Sequence, residues 1–283
     1  MPITVHDPSR PSADIGIGAG CPPPVRTPLL REGGLWLKAE GGQVGHTAKY
    51  RMVHRKVSDA LEAGAIGSRI LTEVTSGSTG VALAYLGQRL GLPTELHVYA
   101  TTPAAKLEKM RTYGAGLVIH PPTVPIGELF AAVGRGVAAG TRWHLNQYDR
   151  ESTTRAYAAF AKEIAAQIRE SGSPAPAVFA CPLGTGGLIQ GVGGKLREEF
   201  PGIALVAVEP APDARIDGMR NTDVFHGGEN DPYRKGYADR RAVVPASAER
   251  LTFAGVELGE SASAVLAWVR AEGLTDVLMI APD

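Results

Sequence analysis

Two cysteines, Cys21 and Cys181, are too few and too far apart for a disulfide framework or a zinc site, so no metal is expected. Their scarcity suits a reducing compartment, and a cytoplasmic protein is expected. Charge of one sign is not in excess either: Lys and Arg total 29, Asp and Glu total 29, and the formal net charge is zero. No basic field is available to hold nucleic acid or an anionic membrane. Long hydrophobic runs are also missing. The opening "MPITVHDPSRPSADIGIGAGCPPP" carries no apolar stretch behind a positive charge, so it does not read as a signal peptide. Its Pro, Gly and Ser suggest an irregular arm over residues 1–24. No segment is long and apolar enough to span a membrane, and no internal repeat is visible. Any anion bound by this chain must be held by local geometry.

What is present is an ordinary globular composition over 283 residues, 44% apolar and 20% charged, with ample material for a core. Apolar runs and helical patterns alternate from residue 34 to 210. Strands are expected at "GLWLKAE" (34–40), "RILTEV" (69–74), "TELHVYA" (94–100), "GLVIH" (116–120), "WHLNQ" (143–147), "AVFACPL" (177–183) and "ALVAVEP" (204–210). Between them, Val53, Val57 and Leu61 recur every four residues, "VALAYLGQRLG" and "AAKLEKMRTYG" end on glycine, and further helices are expected over about 128–137, 152–169 and 188–200. Continuous apolar strands alternating with helices predict an α/β fold of mostly parallel sheets covered on both faces. Ligands of such sheets bind beyond the C-terminal strand ends. The polar stretch 221–241 reads as a long surface loop.

The loops after Val74, Gln147 and Leu183 lie at those ends, and three segments of the chain could carry chemistry. In "CPLGTGG", Gly184, Gly186 and Gly187 sit between a strand and a helix, where backbone N–H groups converge and the helix dipole favours an anion. The dinucleotide fingerprint fails because Ile189 stands at its third glycine. The P-loop fails because Leu196 follows Gly194-Lys195. In "TSGSTG", Thr75, Ser76, Ser78 and Thr79 add hydroxyls to Gly77 and the backbone donors, where one hydroxyl would serve as a helix cap. Two anion-cradling loops imply a ligand with two anionic ends, or a cofactor and a substrate. Lys49 opens a helix behind a glycine-rich loop, an unfavourable place for a cation on dipole grounds. A lysine so placed can serve as an amine nucleophile, although position alone also fits an exposed lysine.

Taken in order, "TPL", "GHTAKYR", "TSGSTG", "NQYDR", "GTGG", "LVAVEP", "RIDGM" and "GESASAVLAWV" resemble the motifs of the fold-type II pyridoxal-phosphate enzymes, a two-lobed fold like that of the tryptophan synthase β-subunit. The resemblance is to the cysteine synthase and O-phosphoserine sulfhydrylase branch. It implies pyridoxal 5'-phosphate as cofactor, with Lys49 as its Schiff-base lysine and catalytic base. It places the cofactor phosphate on Gly184, Thr185, Gly186, Gly187 and Leu188, and Ser261 or Ser263 at the pyridine nitrogen. The substrate carboxylate falls to Thr75, Ser76, Gly77, Ser78 and Thr79, and Gln147, Gly218 and Arg220 also face the substrate.

The implied reaction is β-replacement on an activated serine, O-phosphoserine or O-acetylserine, through an aminoacrylate. A sulfur species, a sulfur-carrier donor or another small nucleophile then adds to give a cysteine-like amino acid. A 2,3-diaminopropionate-type synthase, a β-eliminating lyase or dehydratase, and a catalytically silent binding or regulatory protein on the same fold are the competing readings. A homodimer is implied as well, with a larger cofactor lobe of 1–42 plus 150–283 and a smaller mobile lobe of 43–149. The chain departs from the family pattern at Ser78, where the family has Asn against the cofactor's ring hydroxyl, at Tyr50 in place of Asp, and at Gln43-Val44 in place of Asn-Pro. Gly218-Met219-Arg220-Asn221 also departs, and it resembles members that use O-phosphoserine.

Overall fold

The computed structural model describes residues 21–224, 238–246 and 249–282. Most of the expected N-terminal arm and the greater part of the expected 221–241 loop lie outside the described residues. The chain divides into two compact units, one of Val53–Asn146 with the segment ending at Pro24, the other of Val25–Met52 and Gln147–Asp283. These bounds differ from the expected lobes. Residues 43–52, with Lys49, group with the larger unit, because Ala48 N–H donates to Pro282 O and Arg51 is tied to Glu40 and Glu163.

The larger unit is built on a six-stranded sheet. Its strands are β1 (Leu29–Glu32), β2 (Leu35–Ala39), β7 (Val178–Pro182), β8 (Ala204–Pro210), β9 (Arg240–Val244) and β12 (Val277–Ala281), in the order β1-β2-β12-β7-β8-β9. Only the β1–β2 pair, a hairpin turned at Gly33-Gly34, is antiparallel; both glycines have positive φ. β7, β8 and β12 are almost wholly buried, which is why they read as unbroken apolar runs. Helix α5 (Arg150–Glu170) packs beside the helical segment that follows β7, and α7 (Glu260–Ala271) lays Val265, Leu266 and Val269 into the core. A hairpin of β10 (Thr252–Phe253) and β11 (Val256–Glu257) adds Phe253 to that core. Asn221 caps the turn after β8, and β9 begins at Arg240, so the expected surface loop is structured at both ends.

The smaller unit holds a four-stranded parallel sheet in the order β5-β4-β3-β6: β3 (Ile70–Val74), β4 (Thr94–Tyr99), β5 (Gly116–His120) and β6 (Arg142–His144). α2 (Ser78–Leu90), α3 (Ala104–Thr112) and α4 (Ile126–Ala138) follow the strands in turn. α2 stops at Gly91, which takes the left-handed conformation that glycine adopts without strain. β5 does not match the expected buried run. It is an edge strand, and Val118 and Ile119 are exposed. Helix α1 (Lys49–Glu62) starts in the larger unit and ends in the smaller one. No helix among the described residues is long and apolar enough to cross a membrane.

Candidate active site

In the larger unit, the glycine loop follows β7 as the strand-loop-helix pattern requires. Gly186 has φ +79°, and the helix starts at Gly187. The loop is packed too closely for side chains at two points. A Cβ at Gly184 would lie 2.6 Å from the Gly218 carbonyl oxygen, and one at Gly187 would lie 2.9 Å from the Thr153 methyl. The helix then winds through one π turn, Ile189–Gly193, where a Cβ at Gly191 would lie 3.0 Å from Tyr157.

Lys49 opens α1, its backbone N–H donating to Thr47 Oγ1. Its ammonium reaches into the glycine loop and donates to Thr185 Oγ1 at 3.0 Å. The cation at a helix start is thus aimed at the neighbouring loop, and two residues far apart in sequence meet. The first turn of α1 is held from beneath by a buried ionic network that sequence reasoning missed. Arg51 makes paired hydrogen bonds to Glu40 (2.6 and 2.9 Å) and to Glu163 (2.9 and 3.0 Å), and its guanidinium stacks 4.1 Å from the Phe160 ring centroid. Lys38, wholly buried on β2, donates to Glu163, to Gln167 and to the Thr27 carbonyl. Thr27 also bonds Glu40. Burial pushes the Lys38 ammonium below the usual lysine range, partly countered by Glu163. Burial would raise the Glu163 carboxyl, but hydrogen bonds from Arg51 and Lys38 outweigh it and hold the group below 4.5. In the sequence these are ordinary charged residues on a strand and two helices, and only their burial singles them out.

The segment 216–221 packs against the glycine loop from the other side. Ile216, Met219 and Asn221 are buried, and the Arg220 backbone N–H donates to Leu183 O at 2.7 Å. Arg220 itself is half-buried, its guanidinium 5.9 Å from the ring centroid of Tyr148, the residue after the buried Gln147. It is therefore not a freely exposed arginine.

The two serines of α7 part company. Ser263 Oγ accepts from the Leu251 N–H at 2.9 Å and donates to Leu258 O, so it stitches the hairpin to the helix. Ser261 Oγ is buried and has no hydrogen-bond partner among the described residues. A buried hydroxyl is rarely left so. Of the expected pair, Ser261 is the one with bonding capacity to give a ligand. Leu188 is buried at the start of the helix after the glycine loop. Cys181 lies deep in β7, where burial pushes its thiol far above the usual range and makes it inert.

In the smaller unit, "TSGSTG" joins β3 to α2. The sequence suggested four hydroxyls for a ligand, but the structure divides their work. Thr75 is buried, and its Oγ1 accepts from the N–H groups of Gly77 (3.1 Å) and Gly80 (3.2 Å), which shapes the turn. Thr79 is buried on α2. Ser76 is exposed and Ser78 half-buried at the start of α2, where the helix dipole is positive. Gly77 has φ +149°, a backbone that side chains rarely adopt. Ser78 is met by a residue the sequence did not single out: Lys106 of α3 donates to Ser78 Oγ at 3.3 Å. No cluster of His, Cys, Asp or Glu among the described residues could hold a metal ion.

The chain is similar to several known proteins. The chain is 28% identical over 193 residues to the cysteine synthase of Aquifex aeolicus (strain VF5), a match covering 67% of this chain and 58% of that one. It is 30% identical over 204 residues to a probable cysteine synthase of Bacillus subtilis (strain 168), covering 68% and 65%. The match thus spans less than two thirds of the length of these curated relatives. Among solved structures, O-ureido-L-serine synthase superposes with a TM-score of 0.77 at 25% identity, over 91% of this chain and 89% of that one. The family described as "Pyridoxal-phosphate dependent enzyme" matches residues 21–275, nearly the whole described chain, and the chain belongs to that family.

Proposed function

We propose that the protein catalyses β-replacement on an activated serine with pyridoxal phosphate as cofactor. The observation that carries this reading is the Lys49 ammonium 3.0 Å from Thr185 inside the glycine loop, with the Ser261 hydroxyl buried in the same unit and without a hydrogen-bond partner among the described residues. These residues fit the cofactor's chemistry. Thr185 and the backbone N–H groups of Gly186 and Gly187 would hold its phosphate, Lys49 would bind its carbonyl carbon, and Ser261 would donate to or accept from its ring nitrogen. When bound, the cofactor supplies an electron sink for the substrate's Cα. A serine opposite the ring nitrogen carries no charge to keep that nitrogen protonated, which favours elimination and replacement at Cβ over transamination.

The chain's own residues do the rest. The Lys49 amine would take up the substrate's Cα proton. The "TSGSTG" loop receives the substrate carboxylate on Ser76, Ser78 and the first N–H groups of α2. Arg220 selects the leaving group. Its segment is pinned by Ile216, Met219 and Asn221, and its guanidinium is directed toward Tyr148 beside Gln147. A guanidinium matches a phosphate bidentately, so O-phosphoserine is favoured over O-acetylserine. The relatives' names support a sulfur nucleophile and a cysteine-like product.

Two measurements test the reading. Borohydride reduction of the loaded protein should fix the cofactor on the peptide that contains Lys49; protein that takes up no pyridoxal phosphate refutes the enzyme. Turnover of O-phosphoserine and O-acetylserine, with sulfide as acceptor, should show a phosphate preference that Arg220→Ala abolishes. A preference unchanged in that variant removes Arg220 from substrate recognition.

A further inference from the structure

The contact between Lys106 and Ser78 is placed against the grain of the local electrostatics. Ser78 is the first residue of α2, where backbone N–H groups point outward and the dipole is positive. A cation is disfavoured there. Lys106 is nonetheless built into this place. Its aliphatic stem lies across Gly77, where a Cβ would stand 2.4 Å from the Lys106 Cδ, so only glycine lets the lysine approach. Its ammonium has donors and no acceptor, so in its bond to Ser78 the serine oxygen accepts. The Ser78 hydroxyl proton is left to donate elsewhere. An ammonium, a hydroxyl turned into a donor and a positive helix end converge on one spot and together attract an anion.

On the reading that this loop takes the substrate carboxylate, we infer that Lys106 is a substrate-positioning residue. It acts through Ser78: the ammonium polarises the hydroxyl, and the hydroxyl donates to the carboxylate. Hydrogen bonds in series strengthen one another in this way. The short serine at this position is thereby given a charge-assisted donor of the kind a neutral loop lacks.

The test uses the pyridoxal-phosphate-loaded protein, titrated with L-serine and separately with L-serinamide, which lacks the carboxylate. Binding is followed by the change in visible absorption. Lys106→Met should weaken serine by roughly ten- to a hundredfold, the range for a lost charge-assisted hydrogen bond. It should leave serinamide affinity and the spectrum of the resting protein unchanged. Lys106→Arg should recover part of the loss, and Lys109→Met, an exposed lysine on the same helix, should show none. In turnover, the Lys106→Met effect should appear in KM and much less in kcat. Equal losses for serine and serinamide, or an altered resting spectrum, would show that Lys106 only props the loop or acts on the cofactor, and would overturn the inference. So would an unchanged serine affinity. Failure of the underlying reading looks different: wild-type holoprotein would respond to neither compound.

Discussion

Ser261 and Ser263 sit two residues apart on one helix, are both buried, and should respond to the same mutation with opposite signs. In the protein without cofactor, the Ser261 hydroxyl is desolvated and has no partner among the described residues. Such a group costs about 1–3 kcal/mol. Ser261→Ala removes that cost and loses little packing, so apoprotein stability should stay level or rise by about 1 kcal/mol. Ser263→Ala removes the acceptor of the Leu251 N–H and a donor to Leu258 O. It leaves two backbone groups short and should cost about 1–2 kcal/mol. Urea denaturation of the apoproteins, with m-values checked for constancy, measures both. With cofactor the ranking should reverse. Cofactor affinity, read by fluorescence titration, should fall several-fold in Ser261→Ala and stay near wild type in Ser263→Ala. If Ser261→Ala destabilises the apoprotein as much as Ser263→Ala, its hydroxyl has a structural partner, and the assignment of Ser261 to the ring nitrogen fails.

Other perturbations follow from the same geometry. Arg51→Met leaves Glu40, wholly buried, and Glu163 without their shared cation, and should cost about 3–5 kcal/mol in urea denaturation. The Glu163 carboxyl is held below its ordinary 4.5 in the folded protein, so it contributes stability above that pH and loses it as the pH falls through the lower folded value. Denaturation midpoints should therefore drop as the pH falls below 4.5, and less steeply in Glu163→Gln. Gly184→Ala drives a methyl into the Gly218 carbonyl, a backbone atom that cannot swing aside. It should cost about 1–3 kcal/mol and weaken cofactor binding together with O-phosphoserine selection, because loop and Arg220 segment move as one. Unaltered selectivity in that variant would uncouple the two.

The alternation of strands and helices was legible because parallel strands buried on both faces read as unbroken apolar runs between periodic helices. β5 misled because an edge strand keeps its β-branched residues although one side is open. The partition into two sheets was not legible, since strand order depends on pairings distant in sequence. "GTGG", "TSGSTG" and Lys49 were visible in the sequence because their glycines and hydroxyls exceed what a turn or a helix cap needs and a lysine at a helix start is locally unfavourable. The part Thr75 plays in shaping the turn was not legible, because a hydroxyl that accepts from its own loop looks the same in sequence as one that faces solvent. Ser261 and Ser263 could not be told apart without the hairpin that engages one of them. Lys106 gave no signal at all: in "AAKLEKM" it is one of two lysines on a polar helix, and only the closeness of Gly77 sets it apart.

The place of β12 has a consequence for synthesis. This strand, formed by residues 277–281, fills the middle of the larger sheet, with Leu278 beside Trp36 on one side and Phe179 on the other. Until it emerges from the ribosome, β2 and β7 have no common neighbour and each presents an open inner edge. The smaller sheet, drawn from the continuous stretch 70–144, can pair all its strands long before that. A growing chain therefore carries a completed sheet alongside a divided one, and its most aggregation-prone interval ends only when Val277 to Ala281 slide into the gap.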